Sequence, residues 1–180
     1  IAANKSGIEF KKILKVLPKI TPVEGRLEKI GKIHNNSKVI LDYAHTPAAL
    51  ESALSNLKEQ FPLNKINLIF GCGGDRDLKK RPLMGKIAEK YSNEIYLTDD
   101  NPRNEKPFKI RNEIKKGIKN KKIHEIPDRK KGIQEAVKNL KTGDILLVAG
   151  KGHEKTQDYG KKRTFFSCLL YTSPSPRDLS

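Results

Sequence analysis

The fold is decided by one stretch of the sequence, Ile66-Asn-Leu-Ile-Phe-Gly71-Cys-Gly-Gly-Asp-Arg76-Asp-Leu-Lys-Lys-Arg81-Pro82. Its first five residues are mostly apolar or β-branched and predict a buried strand, its glycines predict a loop, and Pro82 predicts the first position of a helix. In open α/β sheets, the loops that leave the carboxyl ends of parallel strands form the ligand crevice. We therefore predict that Asp75, Arg76 and Asp77 project into such a crevice.

The glycines of this stretch differ from the dinucleotide-binding fingerprint. G-x-G-x-x-G would need a glycine where Arg76 stands, so the loop is not a standard pyrophosphate cradle. A nicotinamide-dependent oxidoreductase would need that third glycine and an acidic residue about 20 positions later. The sequence does not meet the first requirement.

Strand and helix patterns alternate along the rest of the chain. Strands are predicted over residues 27–33, 38–42, 94–98, 123–126 and 145–149, and helices over residues 48–61 and 82–91, from Pro107, and after Asp128. The first 20 residues predict a short amphipathic helix ended by Pro18, and two short segments around Gly160 predict a hairpin. The pattern predicts an α/β fold with a Rossmann-like, mostly parallel sheet, helices on both faces and a C-terminal antiparallel hairpin.

Composition narrows the class of protein. The chain has 180 residues, enough for one domain, and its 36% apolar residues can form one core. The net charge of +16 comes mostly from lysines scattered over predicted helix surfaces. Nucleic-acid recognition relies instead on forked arginines and stacked aromatic rings, so we do not expect nucleic acid as a partner. A basic nucleic-acid-binding α/β module stays an alternative.

Cysteine content and hydropathy bear on the cellular compartment. Two cysteines, Cys72 and Cys168, cannot form a disulfide framework, and no apolar run approaches the ~20 residues of a membrane span. We therefore expect no membrane partner and a cytoplasmic location. The sequence begins at Ile1 rather than at a methionine and shows no signal peptide, so we expect a piece of a longer protein.

Charged residues follow several predicted strands at the point where each strand ends. They are Asp42, His45, Asp75, Arg76, Asp77, Asp100, Arg103 and Glu154. Simpler interpretations exist, because aspartates can cap helices, a histidine can be an ordinary loop residue, arginines can form surface ion pairs, and Gly150 and Gly152 can serve only to turn the backbone. However, arginines that bind carboxylates, beside acidic groups that accept from ammonium groups, favour a zwitterionic amino acid as the ligand.

Four motifs, in order along the chain, carry a resemblance to a known family. They are Asp42-Tyr-Ala-His-Thr-Pro47, Phe70-Gly-Cys-Gly-Gly-Asp-Arg-Asp77 with Lys80-Arg-Pro-Leu-Met-Gly85, Asp99-Asp-Asn-Pro-Arg103, and Ala149-Gly-Lys-Gly-His-Glu154. Together they resemble the carboxyl-terminal domain of the Mur ligases, and within that family the members that add diaminopimelate. The resemblance spans residues 1–167.

This resemblance implies an ATP-dependent, amide-bond-forming ligase of peptidoglycan precursor synthesis. Such enzymes use ATP and Mg²⁺ to convert a carboxylate of UDP-N-acetylmuramoyl-L-alanyl-D-glutamate to an acyl phosphate, which the incoming amine attacks. The sequence contains no G-x-x-x-x-G-K-[ST] P-loop, so both cofactors would be bound mainly by a central domain that it lacks. Residues 1–25 are then expected to be the end of that domain plus a linker, and residues 26–167 the carboxyl-terminal domain.

The resemblance also implies roles for individual residues. It implies a meso-diaminopimelate site formed by Arg76, Asp100, Asn101, Pro102, Arg103, Gly150 and Glu154. In that site Arg103 would hold the side-chain carboxylate. Asp42, Tyr43 and His45 match a segment that lies near the nucleotide. No catalytic acid, base or nucleophile and no metal ligand is implied in this part of the enzyme, and a lysine-adding member of the family stays an alternative.

The sequence departs from the family after Ser167. Relatives continue with an aspartate and a terminal helix, whereas residues 168–180 contain two prolines and no helical period. These residues resemble translated cloning or adapter sequence, and we interpret them as a non-native tail. A genuine disordered terminus is the alternative.

Overall fold

A six-stranded sheet forms the centre of the computed structural model, which describes residues 5–19, 23–32 and 35–168. The strands are β1 (Glu28–Lys32), β2 (Lys38–Asp42), β3 (Ile66–Phe70), β4 (Glu94–Leu97), β5 (Ile123–Glu125), β6 (Ile145–Ala149), β7 (Thr156–Asp158) and β8 (Arg163–Phe165). The helices are α1 (Phe10–Val16), α2 (Pro47–Gln60), α3 (Lys80–Tyr91), α4 (Pro107–Lys115) and α5 (Arg129–Lys138), and a short 3-10 helix (Leu17–Lys19) follows α1.

The strand order is β1-β2-β6-β3-β4-β5. Strands β2, β6, β3, β4 and β5 are all parallel to one another. Strand β1 pairs antiparallel with β2. Strands β7 and β8 form a separate antiparallel hairpin. The predicted α/β fold with a mostly parallel sheet and a C-terminal hairpin is confirmed. Because β2, β6, β3 and β4 run in the same direction, the loops that follow them meet at one edge of the sheet.

Both faces of the sheet are covered. Every residue of β3 and β6 is buried, which explains their near-continuous apolar sequences. On one face, α2, α3 and α4 contribute Leu50, Leu54, Leu57, Met84, Ala88, Ile110 and Ile114 to the core. On the other face, α5 contributes Ile133 and Ala136, the segment after α5 contributes Leu140, and the segment after β8 contributes Phe166 and Cys168.

The start of α3 differs from the sequence prediction. The helix begins at Lys80, so Pro82 is its third residue rather than its first. A proline fits there because the first backbone N–H groups of a helix have no intrahelical acceptor. Thr46 and Asp128 cap α2 and α5, where their side-chain oxygens accept from the backbone N–H groups of Ala49 and Lys131.

The two ends of the described chain bear on the predicted domain boundaries. The side chains of α1 are not buried, and the helix continues through Pro18 as a 3-10 turn. Cys168 is buried against the sheet, although we assigned it to the tail; residues 169–180 lie outside the described residues. The boundaries at residues 25 and 167 stay predictions.

The described residues include no helix with the length and apolar character needed to span a bilayer.

Candidate functional site

The loops that follow β2, β3, β4 and β6 enclose a cavity of about 460 Å³ at the carboxyl edge of the sheet. Its lining residues are Tyr43, His45, Thr46, Pro47, Gly71, Cys72, Gly73, Arg76, Asp77, Lys80, Leu83, Asp100, Asn101, Arg103, Gly150 and Glu154. Most of the residues that the sequence singled out therefore lie together. Asp42, Asp75 and Pro102 are the exceptions.

Arg103 is fixed by both its backbone and its side chain. Its backbone adopts a left-handed conformation, φ 51°, which is uncommon for a residue other than glycine. Its Nη1 donates to the carbonyl oxygen of Gly74 at 2.7 Å, and its backbone N–H donates to Asp158. Pro102 acts through its backbone, since its carbonyl oxygen would lie 1.9 Å from a Cβ at Gly74. Only a glycine at position 74 permits this close contact between the two loops.

The charged residues of the turn after β3 do not all face the cavity. Arg76 and Asp77 line the cavity. The prediction for Asp75 is wrong, because its carboxylate accepts from the Asn104 side chain at 2.8 Å and its N–H donates to Glu105 at 2.6 Å. Asp75 therefore joins the loops after β3 and β4 outside the cavity.

Two acidic residues, Asp100 on the loop after β4 and Glu154 on the loop after β6, also line the cavity. Asp100 accepts from the backbone N–H of Asn101 at 2.7 Å rather than capping α4, whose N-cap is Lys106. Glu154 Oε2 accepts from Asn101 Nδ2 at 3.0 Å and from Lys151 Nζ at 2.7 Å. Burial opposes ionisation of Glu154, but the hydrogen bond and positive charge of Lys151, with help from Asn101 and Arg129, hold the pKa of this carboxyl below its ordinary value. Glu154 is thus ready to accept from a cationic ligand.

The loop after β2 places the rings of Tyr43 and His45, but not the carboxylate of Asp42, on the cavity lining. Asp42 is turned inward and accepts from the backbone N–H groups of Leu27 and Ala44 at 2.8 and 2.7 Å. The Tyr43 ring contacts His45 edge-on at 4.7 Å between centroids and stacks on His153 at 5.9 Å. Tyr43 and His45 line the cavity, so the aromatic part of this predicted segment faces the ligand space and its aspartate supports the loop.

A buried arginine supports the glycine-rich loop from below. Arg81 is fully buried and donates to the carbonyl oxygen of Gly73 at 3.1 Å. It also forms ion pairs with Glu105 at 2.8 Å and Glu113 at 2.6 Å. Because Glu105 receives the Asp75 N–H as well, this cluster links the loops after β3 and β4 to α3 and α4.

Two lysines of the site were not singled out from the sequence. Lys80 lines the cavity and donates to the carbonyl oxygen of His45 at 2.8 Å. Lys151 is fully buried behind the cavity and holds Glu154. Both stand inside quoted motifs, Lys80 before the Arg-Pro pair and Lys151 between two glycines, but a lysine-rich sequence gives no signal that distinguishes them from solvated lysines.

The site offers neither a metal cluster nor a reactive thiol. Within residues 5–19, 23–32 and 35–168, no group of three His, Cys, Asp or Glu side chains could hold a metal ion. Cys72 lines the cavity, but burial raises the pKa of its thiol to about 12, so it is not a nucleophile at neutral pH. The arrangement is suited to binding and orienting a ligand.

Comparison with known proteins identifies the family. A family model described as Mur ligase, glutamate ligase domain, matches residues 25–152. The chain belongs to the Mur ligase family. This Mur ligase domain is 47% identical over 161 residues to the UDP-N-acetylmuramoyl-L-alanyl-D-glutamate--2,6-diaminopimelate ligase of Rickettsia felis, covering 89% of the chain and 30% of that relative. The enzyme of the same name from Buchnera aphidicola subsp. Baizongia pistaciae is 53% identical over 156 residues, with 86% and 30% covered.

Solved structures agree with the family assignment. A structure of a UDP-N-acetylmuramoyl-L-alanyl-D-glutamate--2,6-diaminopimelate ligase matches with a TM-score of 0.77 at 38% identity, covering 95% of the chain and 35% of that protein. UDP-N-acetylmuramate-alanine ligase from Thermotoga maritima shares the fold, with a TM-score of 0.63 at 19% identity over 99% of the chain and 34% of that protein. This Mur ligase domain spans about a third of the length of these relatives.

Proposed function

We propose that this chain is the amino-acid-binding domain of a ligase that adds meso-diaminopimelate to UDP-N-acetylmuramoyl-L-alanyl-D-glutamate during peptidoglycan precursor synthesis. One observation carries the proposal: a single cavity has Arg76 and Arg103 on its lining together with Asp100 and Glu154. Guanidinium groups bind carboxylates by paired hydrogen bonds, and carboxylates accept from ammonium groups. A zwitterionic amino acid presents both partners.

The same arrangement favours diaminopimelate over lysine. The two amino acids differ by one carboxylate, so a ligase that selects diaminopimelate needs a cation placed for that group. Arg103 uses Nη1 on Gly74, and its Nε and Nη2 have no hydrogen-bond partner among the described residues. We assign Arg103 to the side-chain carboxylate, with Arg76 beside it. Asp100, Asn101, Pro102, Gly150 and Glu154 complete the proposed site.

ATP and Mg²⁺ are proposed cofactors of the whole ligase. The 180 residues contain no P-loop, and the described residues contain no cluster for a metal, so the phosphate chemistry belongs to the central domain that we propose to precede residue 26. Tyr43 and His45 are proposed to face the nucleotide, and Asp42 supports their loop. Closure of this domain would orient the amine against the acyl phosphate and exclude water. Because the proposed substrates include ATP and a UDP-linked precursor, we propose a cytoplasmic location.

Product formation by the intact ligase tests this function. The enzyme is incubated with ATP, Mg²⁺ and UDP-N-acetylmuramoyl-L-alanyl-D-glutamate, and with either meso-diaminopimelate or L-lysine. We expect an ATP-dependent product that contains diaminopimelate, and far less product with lysine. If product forms with lysine and not with diaminopimelate, the enzyme is a lysine-adding ligase instead. The absence of any amide product would refute the ligase function. The domain expressed alone is expected to hydrolyse no ATP above a buffer control.

A further inference from the structure

A fully buried lysine connects two loops of the candidate site. The Nζ of Lys151 donates to Asn101 Oδ1 at 2.8 Å and to Glu154 Oε2 at 2.7 Å. Lys151 does not line the cavity, whereas Asn101 and Glu154 do. We propose that Lys151 is a positioning residue that fixes Asn101 and Glu154 in the orientation that recognises the amino acid. This inference rests on the proposed amino-acid-binding function.

The hydrogen-bond chemistry of lysine explains how it sets both orientations. An ammonium group has three donors and no acceptor, so only the oxygen of the Asn101 amide can face it. That oxygen also accepts from the Asp158 N–H at 2.9 Å, and the amide nitrogen then donates to Glu154. The amide of Asn101 is therefore held through both its oxygen and its nitrogen, and it connects Lys151, the β7–β8 hairpin and Glu154.

The same contacts leave one oxygen of Glu154 available. Oε2 accepts from both Lys151 and Asn101, while Oε1 has no hydrogen-bond partner among the described residues. The Glu154 side chain is 31% exposed and the Lys151 side chain 0% exposed, so the pair presents a carboxylate oxygen at the cavity and keeps its cation behind it. The centroid of the Phe166 ring lies 5.5 Å from Nζ, within the range of a cation–π contact.

The charges around Glu154 give the proposal a pH signature. Burial opposes the ionised carboxyl of Glu154, whereas Lys151 on its own loop, Asn101 on the loop after β4 and Arg129 on α5 favour it; Asp100 is a further acidic group on the lining of the same cavity. Removing the Lys151 ammonium therefore raises the pKa of Glu154. The ionised form, which accepts from the substrate ammonium, would then be lost at a higher pH.

Steady-state kinetics of the intact ligase test the positioning role. Wild type is compared with Lys151→Met, with Glu154→Gln, with the double variant, and with Lys161→Met as a control at an exposed lysine of the β7–β8 turn. In Lys151→Met we expect the KM for meso-diaminopimelate to rise on the order of tenfold to a hundredfold, with the KM values for ATP and the UDP-linked substrate within about twofold of wild type. The acidic limb of kcat/KM for diaminopimelate should move to higher pH.

The double variant separates positioning from a general loss of folding. It removes both members of the ion pair, so the buried position 151 no longer carries a charge without its partner, and Lys151→Met should add little to the effect of Glu154→Gln. Equal losses for all three substrates, additive effects in the double variant, or an unmoved acidic limb would overturn the proposal. If the wild type uses lysine instead of diaminopimelate, the proposed substrate fails, and the same comparison with lysine still tests Lys151.

Discussion

The guanidinium of Arg103 donates to the carbonyl oxygen of Gly74 at 2.7 Å and so ties the loop after β4 to the loop after β3. The backbone N–H of Arg103 donates to Asp158 of β7, which ties the same residue to the hairpin. The loop after β3 thus holds the side chain of Arg103, and the hairpin holds its backbone. A cation held in this way loses little further conformational entropy when it binds a carboxylate.

Replacing Gly85 on α3 by alanine is expected to destabilise the protein. A Cβ there would lie 2.2 Å from the carbonyl oxygen of Ile114, so Gly85→Ala would force α3 and α4 apart. Alanine normally stabilises a helix interior by about 1 kcal/mol relative to glycine, but overpacking here should lower the free energy of unfolding by about 1–3 kcal/mol.

Urea denaturation of Gly85→Ala and of Lys86→Ala, an exposed neighbour on the same helix, measures this difference. The control should stay within about 0.5 kcal/mol of wild type. Stabilisation by Gly85→Ala would show that the two helices are not packed as closely as described.

Asp42 and Tyr43 are adjacent, but we expect alanine at Asp42 to lower mainly stability and alanine at Tyr43 to weaken mainly ATP binding. Asp42→Ala leaves the N–H groups of Leu27 and Ala44 without their acceptor, which should cost about 1–3 kcal/mol of stability for each group that stays buried. Tyr43→Ala removes a ring that lines the cavity and should raise the KM for ATP with a smaller loss of stability. Thermal unfolding and ATP kinetics of the two variants in the intact ligase check this. A KM effect confined to Asp42→Ala would reverse the two roles.

Much of the fold follows from periodicity. The buried strands β3 and β6 read as continuous apolar runs, and the leucines of α2 recur at helical spacing. The strand order does not follow from the same patterns, because the position of β6 between β2 and β3 depends on tertiary packing. The start of α3 was misplaced because proline is compatible with any position in the first helical turn, not only the first.

The sequence predicted which loops form the site. It predicted the contacts of individual side chains less well. Carboxyl ends of parallel strands must meet at one edge, so the convergence of the motifs could be foreseen. The direction of one side chain within a turn depends on its partners, which is why Asp75 turns to Asn104 instead of the cavity. The burial of Lys151 depends on long-range contacts with Asn101 and Phe166, which no local pattern encodes.

The ion pair between Arg81 and Glu105 should make stability fall in acid. Its hydrogen bond and charge lower the pKa of Glu105 in the folded state. A lowered folded pKa contributes stability above the unfolded pKa of about 4.5, and that contribution is lost as the pH falls through the folded value. Glu105→Gln should therefore be destabilised near neutral pH and should converge toward wild type in acid.

Unfolding free energies measured between about pH 7 and about pH 3 test this expectation. The matched control is Glu59→Gln, at an exposed residue of α2. A constant difference between Glu105→Gln and wild type across this range would contradict the role of the ionised carboxyl.

The carboxyl-terminal boundary is expected to lie one residue later than the sequence motif indicates. Cys168 is 2% exposed and packs on the β-sheet, so a chain that ends at Ser167 loses a buried side chain. A chain that ends after residue 168 should unfold at the same or a higher temperature than the 180-residue chain, since residues 169–180 have no helical period. Calorimetry of the three chains decides this, and a clear drop on removing residues 169–180 would show that the tail is structural.

The most direct test of the account is the amino-acid selectivity of Arg103→Ala in the intact ligase. The kcat/KM values for meso-diaminopimelate and for L-lysine are measured in wild type and variant. Hydrogen bonds to a charged group contribute roughly 1.5–3 kcal/mol each, so diaminopimelate should lose on the order of tenfold to several hundredfold, while lysine, which lacks the second carboxylate, should change far less. Equal losses for the two amino acids, or a wild type that prefers lysine, would contradict the assignment of Arg103 to the carboxylate of diaminopimelate.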